Sequence, residues 1–129
     1  MKFEILCDEK KGLFVARTEG PVQLDDEELM IRDILAHPQW SNHFNLLFDH
    51  TESTLEHLLA IDIQTLSGLI KSYSAELQVS KLAMVLSSDL NYGLGRMLEA
   101  YTSDYMSCEI AITRTREEAE TWLAATAIV

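Results

Sequence analysis

The run Phe44-Asn45-Leu46-Leu47-Phe48-Asp49 constrains this chain more than any other segment. It reads as a buried strand that ends on a carboxylate, and it lies between two segments with helical apolar spacing. A strand placed that way needs a parallel sheet covered by helices, because only a crossover helix returns the chain in the same direction.

The flanking sequence repeats the pattern. Lys2 to Cys7 alternate, with Phe3, Ile5 and Cys7 on one face. The polar turn Asp8–Gly12 leads into Leu13–Glu19, the returning strand of a hairpin, which Gly20-Pro21 ends. Asp25 with Glu28 makes a capping-box start for a helix striped by Met30, Ile31, Ile34 and Leu35. Pro38 stops that helix, since the residue before a proline is pushed out of the helical region. Trp40 sits in the connection that follows and covers the edge of the core. His50 to Ala60 shows no clear period, and Asp62 reads as the N-cap of a helix carrying Leu66, Leu69, Ile70, Tyr73 and Leu77. The continuous run Leu82–Leu86 suits a strand covered on both faces. Ser88 or Asp89 caps a third helix with Leu90, Leu94, Met97, Leu98 and Tyr101 on one side. Met106, Cys108, Ile110 and Ile112 alternate as a last strand, and Thr115 with Glu118 opens a short helix that buries Ala119, Trp122 and Leu123. The expected architecture is an α/β fold in a single domain over residues 1–129, ordered ββαβαβαβα. It has a mostly parallel five-stranded sheet, an N-terminal hairpin, and helices packed on the sheet.

Charge and composition narrow the function. A formal net charge of −11, with ten Lys and Arg scattered along the chain, argues against nucleic acid, whose binding draws on clustered basic residues. No apolar run approaches the ~20 residues of a membrane span. The segment Met1-Lys2-Phe3-Glu4 lacks the pattern of a signal peptide, so a cytoplasmic location is expected. Cys7 and Cys108 both fall in predicted strands and read as small buried hydrophobes, with no disulfide in a reducing compartment.

Local wording adds a resemblance. Gly20-Pro21-Val22, His37-Pro38-Gln39-Trp40, Asn45-Leu46-Leu47-Phe48-Asp49, Tyr92-Gly93-Leu94-Gly95-Arg96-Met97 and Glu118-Ala119-Glu120-Thr121-Trp122-Leu123 span essentially the whole chain. Together with the element order, they resemble the SpoIIAA-like superfamily of STAS domains and the CRAL-TRIO lipid-transfer fold, in particular its small stand-alone bacterial members. The resemblance implies a mostly parallel sheet, often in a homodimer, and either a protein-binding switch or a lipid carrier. STAS switches use a serine at the start of the second helix, in wording close to Asp-Ser-Ser-Gly-Leu. Here Thr65-Leu66-Ser67-Gly68-Leu69 keeps Ser67-Gly68-Leu69 but replaces the aspartate and the first serine. Ser67 is therefore the candidate for phosphorylation, in a motif that lacks the switch's leading residues.

Ligands in parallel α/β sheets gather at the carboxyl ends of strands. Asp49, His50, Thr51 and Glu52 follow the central strand, and Ser87, Ser88 and Asp89 follow the next. Arg96 is the basic residue placed to pair with Asp49, Asp89 or a bound anion. Asp49 with His50, and Glu56 with His57, have the chemistry of metal ligands or a general base, but their spacing matches no metal motif. Neither a metal nor a cofactor is expected. Gly93-x-Gly95 lacks the full phosphate-loop fingerprint and reads as close packing on the sheet or against another subunit. Met30, Met84, Met97 and Met106 fall on core faces, where methionine fills irregular space or lines adaptable pockets. The first functional expectation is a non-catalytic module with a protein partner, as a homodimer. The alternative is a carrier or sensor of a small apolar or lipid-like ligand, and no catalytic motif supports an enzyme.

Overall fold

Nine elements follow one another in the computed structural model, which describes residues 1–125. They are β1 (Lys2–Asp8), β2 (Leu13–Pro21), α1 (Leu24–Ala36), β3 (Asn45–Thr54), α2 (Ala60–Ser72), β4 (Lys81–Val85), α3 (Asp89–Thr102), β5 (Glu109–Thr113) and α4 (Arg116–Ala124). The strands lie in the order β1-β2-β3-β4-β5, with β1 antiparallel to β2 and every later pair parallel. Each parallel crossover therefore steps one strand in the same direction. Crossovers are right-handed for reasons of strand twist, so α1, α2 and α3 must share one face. The short α4 turns back over the other.

Strand alternation distributes the core between these layers. Phe14, Ala16, Leu46, Phe48 and Leu82 face Met30, Ile31 and Ile34 of α1. Leu13, Val15, Leu47, Ala83 and Val85 meet Ala119 and Leu123 of α4. Leu46 and Leu47 are both fully buried on opposite faces of β3, as the sandwiched central strand requires. Trp40 covers the edge of the first layer, with its ring 5.3 Å from that of Phe14 and nearly perpendicular to it.

Several boundaries differ from the sequence reading. β2 includes Gly20 and Pro21 instead of stopping at Glu19, and it runs beside β3 as far as the Pro21–Thr54 pair. Proline is tolerated because it is the last residue of the strand, and the Val22 N–H takes up the bonding to the Thr54 carbonyl at 3.0 Å. The N-cap of α1 is Gln23 with no side-chain bond, so Asp25 lies inside the first turn, where the helix dipole still favours its charge. Asp62 is the third residue of α2 rather than its cap, and its carboxylate accepts the Leu59 N–H at 2.8 Å. That helix stops at Ser72, and Leu77 reaches the core from the turn beyond it. Ser88 caps α3 by accepting the Asn91 N–H at 3.0 Å, and Thr115 caps α4 by accepting the Glu118 N–H at 3.2 Å. Cys108 precedes β5 instead of lying in it.

Gly95 is where α3 touches the sheet. A Cβ there would run into Leu86 Cδ1 and lie 3.1 Å from Ile112 Cγ2, whereas one on Gly93 would meet open space. The pair thus divides, and Gly95 serves packing within the chain. Gly95→Ala is expected to cost about 1–3 kcal/mol of stability through overpacking. Gly93→Ala should gain about 0.5–1 kcal/mol from helix propensity. Urea unfolding of both variants checks this, and equal effects would remove the role assigned to Gly95.

Candidate functional site

The polar half of β3 carries the site. His50 to Thr54 show no clear period in the sequence because every residue is polar, yet they stay in the ladder because β2 continues beside them. Between the Arg17–Asp49 and Glu19–Glu52 pairs, Thr18 stands opposite both His50 and Thr51. This is a β-bulge in a parallel pair, an uncommon feature that re-aims side chains next to functional sites. The fully buried Thr18 stitches it, with Oγ1 2.5 Å from Ser53 Oγ and 3.4 Å from the Asp49 carbonyl. Asn91 closes the end of the strand by accepting the Leu55 N–H at 3.3 Å and donating to the Ser53 carbonyl at 3.2 Å.

The pleat sends Asp49 and His50 to opposite faces, so the two do not act together. Asp49 lies on the α4 side, where it accepts the Thr51 N–H at 3.0 Å and the Thr51 hydroxyl at 2.5 Å. Arg116, the first residue of α4, is its ion-pair partner at 3.5 Å. The other expected site residues are used elsewhere. Ser88 is spent on its cap, and exposed Asp89 pairs with Arg114 at 2.6 Å. Arg96 reaches neither Asp49 nor Asp89; it lies two turns further along α3 and pairs with Glu99 at 3.3 Å. Ser67 is only 6% exposed, with Oγ 2.8 Å from the Tyr105 hydroxyl, which also donates to the Ser67 carbonyl. A phosphate there would have to displace Tyr105. Burial pushes the Tyr105 phenol above its usual range, against the smaller opposing effect of Ser67. His57 donates from Nε2 to the Val22 carbonyl at 2.7 Å. Among the described residues, no three His, Cys, Asp or Glu side chains come together in a way that could hold a metal ion.

His50 faces the other way, toward the helices, and is 3% exposed. Its Nε2 lies 2.9 Å from Oε1 of Glu27, which is itself only 6% exposed. Glu27 comes from the first turn of α1, where the positive end of the helix dipole favours a carboxylate. Burial alone would lower the pKa of His50. The charge and hydrogen bond of Glu27 outweigh that, helped by the Phe48 carbonyl and Asp49, so the ring holds its proton above the usual imidazole range. Nδ1 is buried and meets no protein group among the described residues in full hydrogen-bond geometry, although the Phe48 backbone carbonyl interacts with the ring and helps hold its proton.

Both residues line a cavity of about 50 Å³ between the sheet and helices α1, α2 and α3. The rest of the lining is almost wholly apolar, including Ile31, Phe48, Leu55, Ile63, Leu66, Met84, Leu94 and Leu98. Its location follows from the topology. Ligand crevices in open α/β sheets form where the strand order reverses, and β2 to β5 never reverse. The space that remains is between the sheet and the three helices on one face.

The crystal structure of an uncharacterized protein of the DUF3478 family from Shewanella loihica PV-4, described as having a SpoIIAA-like fold, matches this architecture with a TM-score of 0.57. The match covers 95% of this chain and 92% of that one at 16% sequence identity. The fold is SpoIIAA-like. No protein-family model matches the chain, and no curated protein matches it. At that identity the likeness extends to the fold alone. Within this SpoIIAA-like sheet, Glu27 is the residue that sequence reading missed. It shares the spacing of the buried stripe Met30, Ile31 and Ile34, and that position was the available signal.

Proposed function

We propose that this chain is a non-catalytic binding module that takes up a small, largely apolar molecule between the sheet and α1–α3, as a carrier or sensor. The observation that carries this reading is the buried His50–Glu27 pair, with Nδ1 unpartnered, in an otherwise apolar cavity. A core selected for stability alone has little use for it, since apolar residues of similar volume often serve as well or better. Buried polar atoms that no protein group satisfies are rare, and each calls for a partner, whether a ligand or a bound water.

The cavity is small beside the ~300–1,000 Å³ of typical ligand pockets. Uptake of anything larger than a few heavy atoms therefore requires α2 or α3 to move away from the sheet. Met84 in the lining is unbranched and adaptable, so it can repack around a guest. Native mass spectrometry of freshly purified protein tests the reading directly. A small-molecule adduct lost on denaturation is expected; bare protein from repeated preparations, together with no thermal shift from added apolar compounds, overturns it.

A protein partner, including a second copy of the chain, is the second reading. Its support is the exposure of Leu59 (66%) and Ile61 (61%) at the start of α2 and of Leu90 at the start of α3. These helices both run against the parallel strands, so their amino ends lie at one end of the sheet. Light scattering at micromolar concentration tests the homodimer: a particle of twice the chain mass supports it, and a strict monomer removes it.

A further inference from the structure

We infer that the cavity selects an uncharged, mainly hydrocarbon molecule bearing one hydrogen-bond-accepting oxygen, such as a ketone or an ester, which bonds to His50 Nδ1. This rests on the reading of the cavity as a ligand site and adds the chemistry of the ligand.

Glu27 fixes the protonation of one ring nitrogen. An ionised carboxylate only accepts, so the 2.9 Å contact requires a proton on His50 Nε2. The preference for the doubly protonated ring then puts the second proton on Nδ1, making it a buried donor that no described protein acceptor meets in full hydrogen-bond geometry, the Phe48 carbonyl included. A ligand oxygen supplies the missing acceptor. Sites with a buried unpaired polar group discriminate strongly against analogues that leave it unpaired. An alkane of the same shape would leave it so.

Charge decides between acceptors. Glu27 and His50 neutralise each other, and among the described residues no Lys or Arg lines the cavity. The nearest further ionisable side chain on the strand, Asp49, lies on the opposite face of the sheet and is paired with Arg116. A ligand carboxylate would thus bring an uncompensated buried charge, at high desolvation cost. Glu27 acts as a positioning residue, because it engages Nε2 and leaves Nδ1 as the ring nitrogen without a side-chain partner. His50 is the group that touches it.

The test is an NMR titration of the full chain at pH 7 with 2-hexanone, hexane and hexanoate, followed through the methyl signals of Met84 and Leu98. The ketone is expected to bind at least about tenfold more tightly than hexane, equivalent to about 1.4 kcal/mol, and hexanoate more weakly than the ketone. In His50→Phe the preference for ketone over hexane should vanish while hexane still binds. If His50→Phe does not fold, the doubly apolar variant Glu27→Leu/His50→Leu carries the same comparison. Equal binding of hexane and ketone to the wild type, as when water already satisfies Nδ1, overturns the selectivity and leaves apolar uptake standing. Tightest binding of hexanoate also overturns it. Failure of all three probes overturns both readings.

Discussion

His50→Leu is expected to destabilise the protein by about 3–5 kcal/mol at pH 7, the cost of breaking a buried ion pair from one side. The variant leaves the Glu27 carboxylate 6% exposed with no partner for its charge. It can then escape only by protonation, so the deficit should shrink on acidification. The double variant Glu27→Leu/His50→Leu removes both charges and should recover most or all of the loss, since well-packed apolar replacements of such pairs are often neutral or stabilising. Urea unfolding with an unchanged m-value measures both effects as shifts in the midpoint. A double variant no more stable than His50→Leu would mean that the pair is not an isolated charge compensation, and the functional argument built on it would fail.

The same pair gives stability a pH dependence of defined sign. The folded-state pKa of His50 is raised above the ordinary value of 6.5. A raised histidine contributes stability that is fully present below the unfolded value and lost as pH rises through the folded value. Thermal stability of the wild type should therefore fall from pH 6.5 upward into the alkaline range. The double variant should lack that component. Parallel curves for the two proteins would contradict the assignment.

Phe14→Ala is the other large effect, at about 3–5 kcal/mol for loss of a buried aromatic ring. Phe14 is fully buried, and its ring centroid lies 5.1 Å from His37, 5.3 Å from Trp40 and 5.1 Å from Phe44, all edge to face. These three rings come from the end of α1 and the connection into β3, so one side chain holds the crossover that sets the central strand. Cavity formation and loss of the aromatic contacts add together here. Because Phe14 does not line the ligand cavity, whatever native protein remains should bind hexanone as the wild type does. A cost below 1 kcal/mol would show that Trp40 and Phe44 collapse into the space.

Much of this structure was legible before any coordinates. The alternation of Leu46 and Phe48 against Leu47, the stripe Met30-Ile31-Ile34 and the capping residues Ser88 and Thr115 all report local backbone geometry, and each is where its pattern put it. Continued two steps further, the same periods place His50 on the face of Leu46 and Phe48, and Glu27 on the stripe of α1. Polarity masked both, because a charged residue at a core position reads as the end of an element.

Sequence by itself determined the kind and order of the elements, since helical and strand periods are set by each residue's own backbone angles and by the face it must hide from water. Tertiary structure alone decided that β3 runs on through polar Thr54 past its bulge at His50 and Thr51, because only the neighbouring β2 supplies the ladder bonds that keep it extended. It also decided that His50 finds Glu27, 23 positions away. Such a meeting depends on strand register and on where α1 lies on the sheet, which no local period encodes.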